Sequence, residues 1–179
     1  MNILAERERS RSPLIGAAEL AEFGDLPAPT PHTEAELASL IDLLTVPKSR
    51  IETVTIGHSR DAASLAAAEA FAAAWEACGG KVLASVDWPE TAASWLRPAR
   101  RLTAEAPDAW VMAGAPLGFA QLARRLRHST DWDPARTFAF ASLRDSRLPG
   151  LAGTDTLHGL RGATTDGGAW YVRHRWVMS

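Results

Sequence analysis

Gly57, His58, Ser59, Arg60 and Asp61 follow one another where an apolar run, TVTI, gives way to an alanine-rich one. Three chemistries are open to such a corner. A serine on a sharp strand-to-helix turn is the nucleophile of many hydrolases, in a Gly-x-Ser-x-Gly pattern because bulk on either side would clash. The first glycine is present, but Asp61 stands where the second should be. Asp145 or Asp155, with His158 or His174, could complete a triad, yet no His-Gly-Gly stretch precedes the corner to build an oxyanion hole. A small α/β hydrolase working through Gly57-His58-Ser59 is therefore the alternative reading. The second chemistry is metal ligation: His58 and Asp61 stand three apart, as do Asp155 and His158. A metal needs three or four converging ligands, and neither pair has an evident third. The third reading is plain: Asp61 or Ser59 caps a helix and His58 ends a strand. No glycine-rich phosphate loop follows the strand, so no cofactor is expected. Asp131 and Asp133, flanking Trp132, read as a solvated turn.

The surrounding elements have a regular rhythm. Residues 1–12 read as a charged lead, SPLIGAAELAEFG as a short strand followed by helical turns, and the proline-rich DLPAPTPH as an extended connector. Thr33, with Glu36 three residues on, predicts a capping box opening a helix through Leu37, Leu40, Ile41 and Leu44. TVTIGH reads as a strand. The helix after it has Leu65, Ala68, Phe71, Ala72 and Trp75 on one side and stops at Gly79-Gly80. KVLASVDW is a second strand, and a helix starting near Pro98 ends before Pro107. DAWVMAG, TFAFAS and LRGATT are further strands, with a helix opened by Pro116 between the first two. The closing DGGAWYVRHRWVMS fits a strand or an irregular tail. Strand-helix alternation with short turns predicts a three-layer α/β fold: a doubly wound, mostly parallel, five-stranded sheet with helices on both faces. We divide the chain into a lead and connector (1–50), an α/β lobe (51–170) and a C-terminal tail (171–179).

Composition narrows the partners. With 179 residues, a net charge of −2 and 46% hydrophobic residues, the chain has no global drive toward nucleic acid. No run approaches the roughly 18 apolar residues of a membrane span, and MNILAERERSRS lacks the apolar stretch of a secretory signal. A cytoplasmic location without membrane insertion is expected. The single cysteine, Cys78, reads as a small core residue, and the seven tryptophans as mostly packing.

The order of segments resembles the second lobe of type I periplasmic binding proteins, the leucine/isoleucine/valine-binding family. ACGGKVLASVDWP (Ala77–Pro89) and APDAWVMAGAP (Ala106–Pro116) carry the likeness, with SPLIG and PHTEAELASLIDLL upstream and LHGLRGATT downstream. The resemblance implies a non-enzymatic module that holds a small polar metabolite, an amino acid or similar carboxylate. Most of the family's first lobe has no counterpart here. A truncated relative is one expectation; a second copy or another chain supplying the missing face is the other. In doubly wound sheets ligands sit beyond the carboxyl ends of the strands. The expected ligand-binding residues are therefore His58, Ser59 and Arg60 after the first strand, Gly114 and Ala115 after the third, and Ser142 after the fourth. Arg60 would grip a carboxylate, Ser59 and helix amides would donate, and Gly114-Ala115 would let a ligand approach the backbone.

Overall fold

The computed structural model describes residues 14–179, so the charged lead expected over residues 1–12 lies outside them. Helices α1 (Ala17–Ala21) and α2 (Glu34–Thr45) precede the sheet. Strands β1 (Thr53–Ser59), β2 (Lys81–Trp88), β3 (Ala109–Ala113), β4 (Thr137–Ala139) and β5 (Arg161–Ala163) follow. Between them lie helices α3 (Ala62–Ala77), α4 (Leu96–Thr103), α5 (Pro116–Ser129) and α6 (Leu148–Ala152). These five strands are parallel, in the order β2-β1-β3-β4-β5. Two more, β6 (Ala169–Arg173) and β7 (Trp176–Met178), extend the sheet antiparallel beyond β5. The sheet thus has seven strands, the expected five and a C-terminal hairpin.

Alternation along β1 assigns the two faces. Val54 and Ile56 point with Val111 and Phe138 toward α2 and α3, where Leu40, Leu44, Phe71 and Trp75 close one core. Burying each such leucine contributes about 1.5–3 kcal/mol. On the other face Val86, Trp88 and Met112 pack against α4, α5 and α6. Gly57 belongs to this second face, and a Cβ there would stand 2.7 Å from Met112 Sδ and 2.8 Å from Trp88. The glycine before His58 is small because a tryptophan crosses it.

Thr33 and Glu36 form the capping box as expected. Of the short strand expected at the start of SPLIGAAELAEFG, the described residues 14–16 form none, and only α1 is regular there. Leu65 is exposed, one helical step of about 100° round from the buried Ser64. Cys78 is exposed as well, because it is the C-cap residue of α3 and the buried face ends at Trp75. Six of the seven tryptophans are buried, leaving Trp176 exposed. Among the described residues no helix is long and apolar enough to cross a membrane.

Candidate functional site

The carboxyl end of β1 meets the N-terminus of α5. Ser59, the last residue of β1, is fully buried; its Oγ donates to Glu90 Oε1 (2.6 Å) and accepts from the Ala115 amide (3.2 Å). Glu90 Oε2 accepts from the Gly118 amide at 3.0 Å. Pro116 opens α5, and its first amides have no partner within the helix, so an anion belongs there. The chain supplies one of its own.

Small residues make this possible. A Cβ on Gly114 would lie 2.5 Å from Ser59 Oγ, and one on Gly118 would lie 2.5 Å from Glu90 Oε2. Gly114 and Ala115, expected to admit a ligand, here admit Ser59 and through it Glu90. Burial pushes the Glu90 carboxyl above its ordinary value. The Ser59 hydroxyl and Gly118 amide oppose that shift, and the charge of Asp61 adds to it.

Asp61 caps α3, its Oδ1 accepting from the Ser64 amide at 2.9 Å. Its Oδ2 is buried and has no hydrogen-bond partner. Asp61, Glu90, Ala115 and Leu117 form one side of an open cavity of about 700 Å³, and residues of the 20–29 segment form the other. Arg147 fastens that segment by donating to the carbonyls of Phe23 (3.2 Å) and Asp25 (2.8 Å). The stretch just before it is held by the Ile15 amide on Gln121 (3.0 Å) and by Glu19 on Arg124 (2.6 Å). The charged residues among those described around the cavity are Asp25, Asp61 and Glu90, all acidic.

The other expected residues lie elsewhere on the rim. His58 faces the opposite side of the sheet, with Nδ1 2.8 Å from the Ser59 carbonyl. A carbonyl only accepts, so that nitrogen carries the proton. Arg60 is paired with Asp87 at 2.6 Å, Arg101 standing 3.9 Å from the same carboxylate. The Arg60 hydrogen bond holds Asp87 below the usual carboxylate range despite its partial burial. Ser142 lies in a 3-10 turn (Ala141–Leu143), beside a separate cavity of about 60 Å³ shared with His32, Glu36 and Ser64. That space suits water rather than a metabolite. Its carboxylate, Glu36, is occupied by the amides of Ala141 (2.5 Å) and Thr33 (3.3 Å). The structure therefore brings Ser59 and Ala115 together, and sets His58, Arg60 and Ser142 apart from them.

The Ser59 hydroxyl has no histidine among its partners and is engaged on both its donor and acceptor sides. Asp155 and His158 meet through His174, whose Nδ1 lies 2.8 Å from Asp155 and whose ring stacks on His158. No group of three or more metal-ligating side chains converges among the described residues. Sequence reasoning missed Glu90, although an acid directly after an apolar strand (DWPE) was the available signal.

The whole arrangement has relatives of known structure. No protein-family model and no curated protein matches the sequence. The fold matches a substrate-binding periplasmic protein from Ralstonia solanacearum, with TM-score 0.64 and 18% identity, covering 76% of this chain and 38% of that one. It matches an extracellular ligand-binding receptor from Rhodopseudomonas palustris HaA2 with TM-score 0.63 and 18% identity over 72% and 34% of the two chains. A leucine-binding protein from Thermotoga maritima gives TM-score 0.58 and 15% identity over 70% and 36%. The fold is that of a type I periplasmic-binding-protein lobe. The chain spans between 34% and 38% of the length of these three relatives.

Proposed function

We propose that the chain is a non-enzymatic binding module whose cavity at the carboxyl ends of the strands holds a small amine-bearing metabolite, amino acids being the first class to try. One observation carries the reading: Asp61, whose Oδ2 is buried without a partner, lines a cavity whose charged residues are all acids, and a small shift of its side chain would bring that oxygen to a ligand. Leaving a buried acceptor unsatisfied costs roughly 1–3 kcal/mol. An ammonium group brings three donors and the missing positive charge. The leucine-binding relative supports the same class of ligand, and the cavity has the size of a small-metabolite site. The hydroxyl of Ser59, buried and engaged on both sides, favours holding over hydrolysis. The 20–29 segment covers one side of the cavity; a second copy or another chain would close the open mouth.

The test uses leucine with its two halves as probes: 3-methylbutylamine, which keeps the amine, and 4-methylpentanoate, which keeps the acid. Leucine and the amine are expected to raise the melting temperature, since a ligand of the folded state stabilises it. Asp61→Asn, which keeps the helix cap, should abolish both shifts. Equal stabilisation by 4-methylpentanoate, or ester hydrolysis that disappears in Ser59→Ala, would overturn the assignment.

A further inference from the structure

The opposite pole of the sheet carries a second cavity, of about 530 Å³, at the amino ends of the strands. Four cations line it, Lys48, Arg50, Arg136 and Arg161, against one described carboxylate, Asp108. That carboxylate is turned into the strand: its Oδ2 accepts from the amides of Glu52 (3.0 Å) and Thr53 (2.8 Å) and from the Thr53 hydroxyl (2.9 Å). Asp108 keeps its charge, which acts on Arg136, and the four cations still leave the lining strongly positive.

Two of the cations are held in place by carbonyls. Arg136 donates to the carbonyls of Asp108 and Pro107, with its guanidinium 5.1 Å above the Trp110 ring. Arg161 donates to the Ala135 carbonyl at 3.2 Å and lies 5.2 Å above the Phe138 ring. A carbonyl neutralises no charge, so both remain net positive. The side chains of Lys48 and Arg50 have no ion pair among the described residues. Arg50 also holds a left-handed backbone conformation, φ 49°, which an arginine adopts only at a cost. Between the charges lies apolar surface: Leu43, Val46, Ile51 and Phe138, with Val46 48% exposed.

We propose that this amino-end cavity is a second ligand site, for a small organic anion. Its acidic head meets Lys48, Arg50, Arg136 and Arg161, and its apolar body lies on Leu43, Val46 and Ile51. Pre-positioned guanidinium groups suit carboxylate and phosphate heads alike through paired hydrogen bonds. The apolar surface distinguishes the site from a plain phosphate patch.

Isothermal titration of the whole chain tests this with octanoate, hexyl phosphate, inorganic phosphate and vesicles of phosphatidylglycerol. Octanoate or hexyl phosphate, whichever head is preferred, should bind at least tenfold more tightly than inorganic phosphate. Lys48→Glu and Arg50→Gln, at exposed positions without ion pairs, should each weaken binding about tenfold, and the double variant more. Val46→Ser should weaken the amphiphiles several-fold and leave inorganic phosphate unchanged. Circular dichroism confirms that each variant is folded, and an unfolded variant is replaced by raising salt, which should weaken binding in the parent chain. Binding indifferent to both Lys48→Glu and salt would overturn the proposal. So would inorganic phosphate binding as tightly as hexyl phosphate, or vesicle binding without either soluble amphiphile.

Discussion

The cavities at the two ends of this sheet are lined by charges of opposite predominant sign and hold them differently. At the carboxyl ends, Asp61 and Glu90 face a cavity whose described lining contains no cation. At the amino ends, Arg136 and Arg161 face another, braced by backbone carbonyls. Strand polarity accounts for the sorting. Strands β1 and β3 lead into the N-termini of α3 and α5, whose free amides attract acids, as Ser64 attracts Asp61 and Gly118 attracts Glu90. The segments entering the strands present free carbonyls instead, as Pro107, Asp108 and Ala135 do, and those attract arginines. Carboxylates gathered on amides remain close to one another, and burial penalises them. Arginines gathered on carbonyls extend toward solvent, where their charge costs little.

The comparison is most directly broken at Gly118. A valine there would drive its Cβ into the Glu90 carboxylate, 2.5 Å away. Overpacking of this kind costs about 1–3 kcal/mol, and Glu90 would lose its seat. Gly118→Val should therefore lower the denaturation midpoint and abolish the amine response, while octanoate binding at the far pole survives. Loss of both responses in a folded variant would mean that the two ends are not independent.

Glu90→Gln separates charge from shape. A carboxyl whose pKa is raised on folding binds more protons in the native state, so stability falls as pH climbs from the unfolded value through the raised one. Above that window the charged group is a burden. Glutamine removes the burden while keeping an oxygen for Gly118. The variant should melt higher than the parent at neutral pH and lose that pH dependence. Its affinity for an amine should fall by about 10- to 100-fold, the worth of a hydrogen bond to a charged group. A lower melting temperature at neutral pH would show that Ser59 and Gly118 outweigh the burial.

Asp145 offers a smaller effect, through the segment that walls the acidic cavity. Its carboxylate holds Arg147 in a two-point pair (2.9 and 2.7 Å), and Arg147 in turn donates to the carbonyls of Phe23 and Asp25. The Arg147 hydrogen bonds set Asp145 below the usual carboxylate range. A depressed carboxyl contributes stability above its unfolded pKa, which is lost as pH falls through the folded value. Acidification below about pH 4, the ordinary aspartate value, should therefore loosen the 20–29 wall. Asp145→Asn should do the same at neutral pH, read as faster proteolysis near Gly24 and a weaker amine response, with octanoate binding unchanged.

The sheet was legible in the sequence because its signals are local. Val54 and Ile56 alternate, Thr33 and Glu36 cap, and Pro116 opens a helix, each within a few residues of chain. The resemblance added the order of those segments. The site was legible only in part, because it is assembled across distance. Ser59 reaches Glu90 over 31 positions and Ala115 over 56, and nothing around Ser59 announces either partner. Arg60 looked like a free cation because Asp87, its partner, is 27 residues away on the neighbouring strand. The wall of the cavity was the least legible: a proline-rich connector carries no sign of what it will lie against.

The smallest expected effect lies at Trp176, which sharpens the comparison by marking what belongs to neither end. On the β6–β7 hairpin, Trp170 and Val172 face the core while Tyr171 and Arg173 face outward, and Trp176 pairs with Arg173 in register. The Trp176 side chain is 66% exposed, and neither cavity includes it. Exposed positions away from caps, cores and strained backbone change stability by within about 0.5 kcal/mol. Trp176→Ser should accordingly leave the denaturation midpoint and both ligand responses where they were. A drop of more than about 1 kcal/mol, by the same yardstick, would show that the outer face of the hairpin is covered in solution. A second copy of the chain would then be the covering body to look for by light scattering, since this face adjoins the open edge of β7.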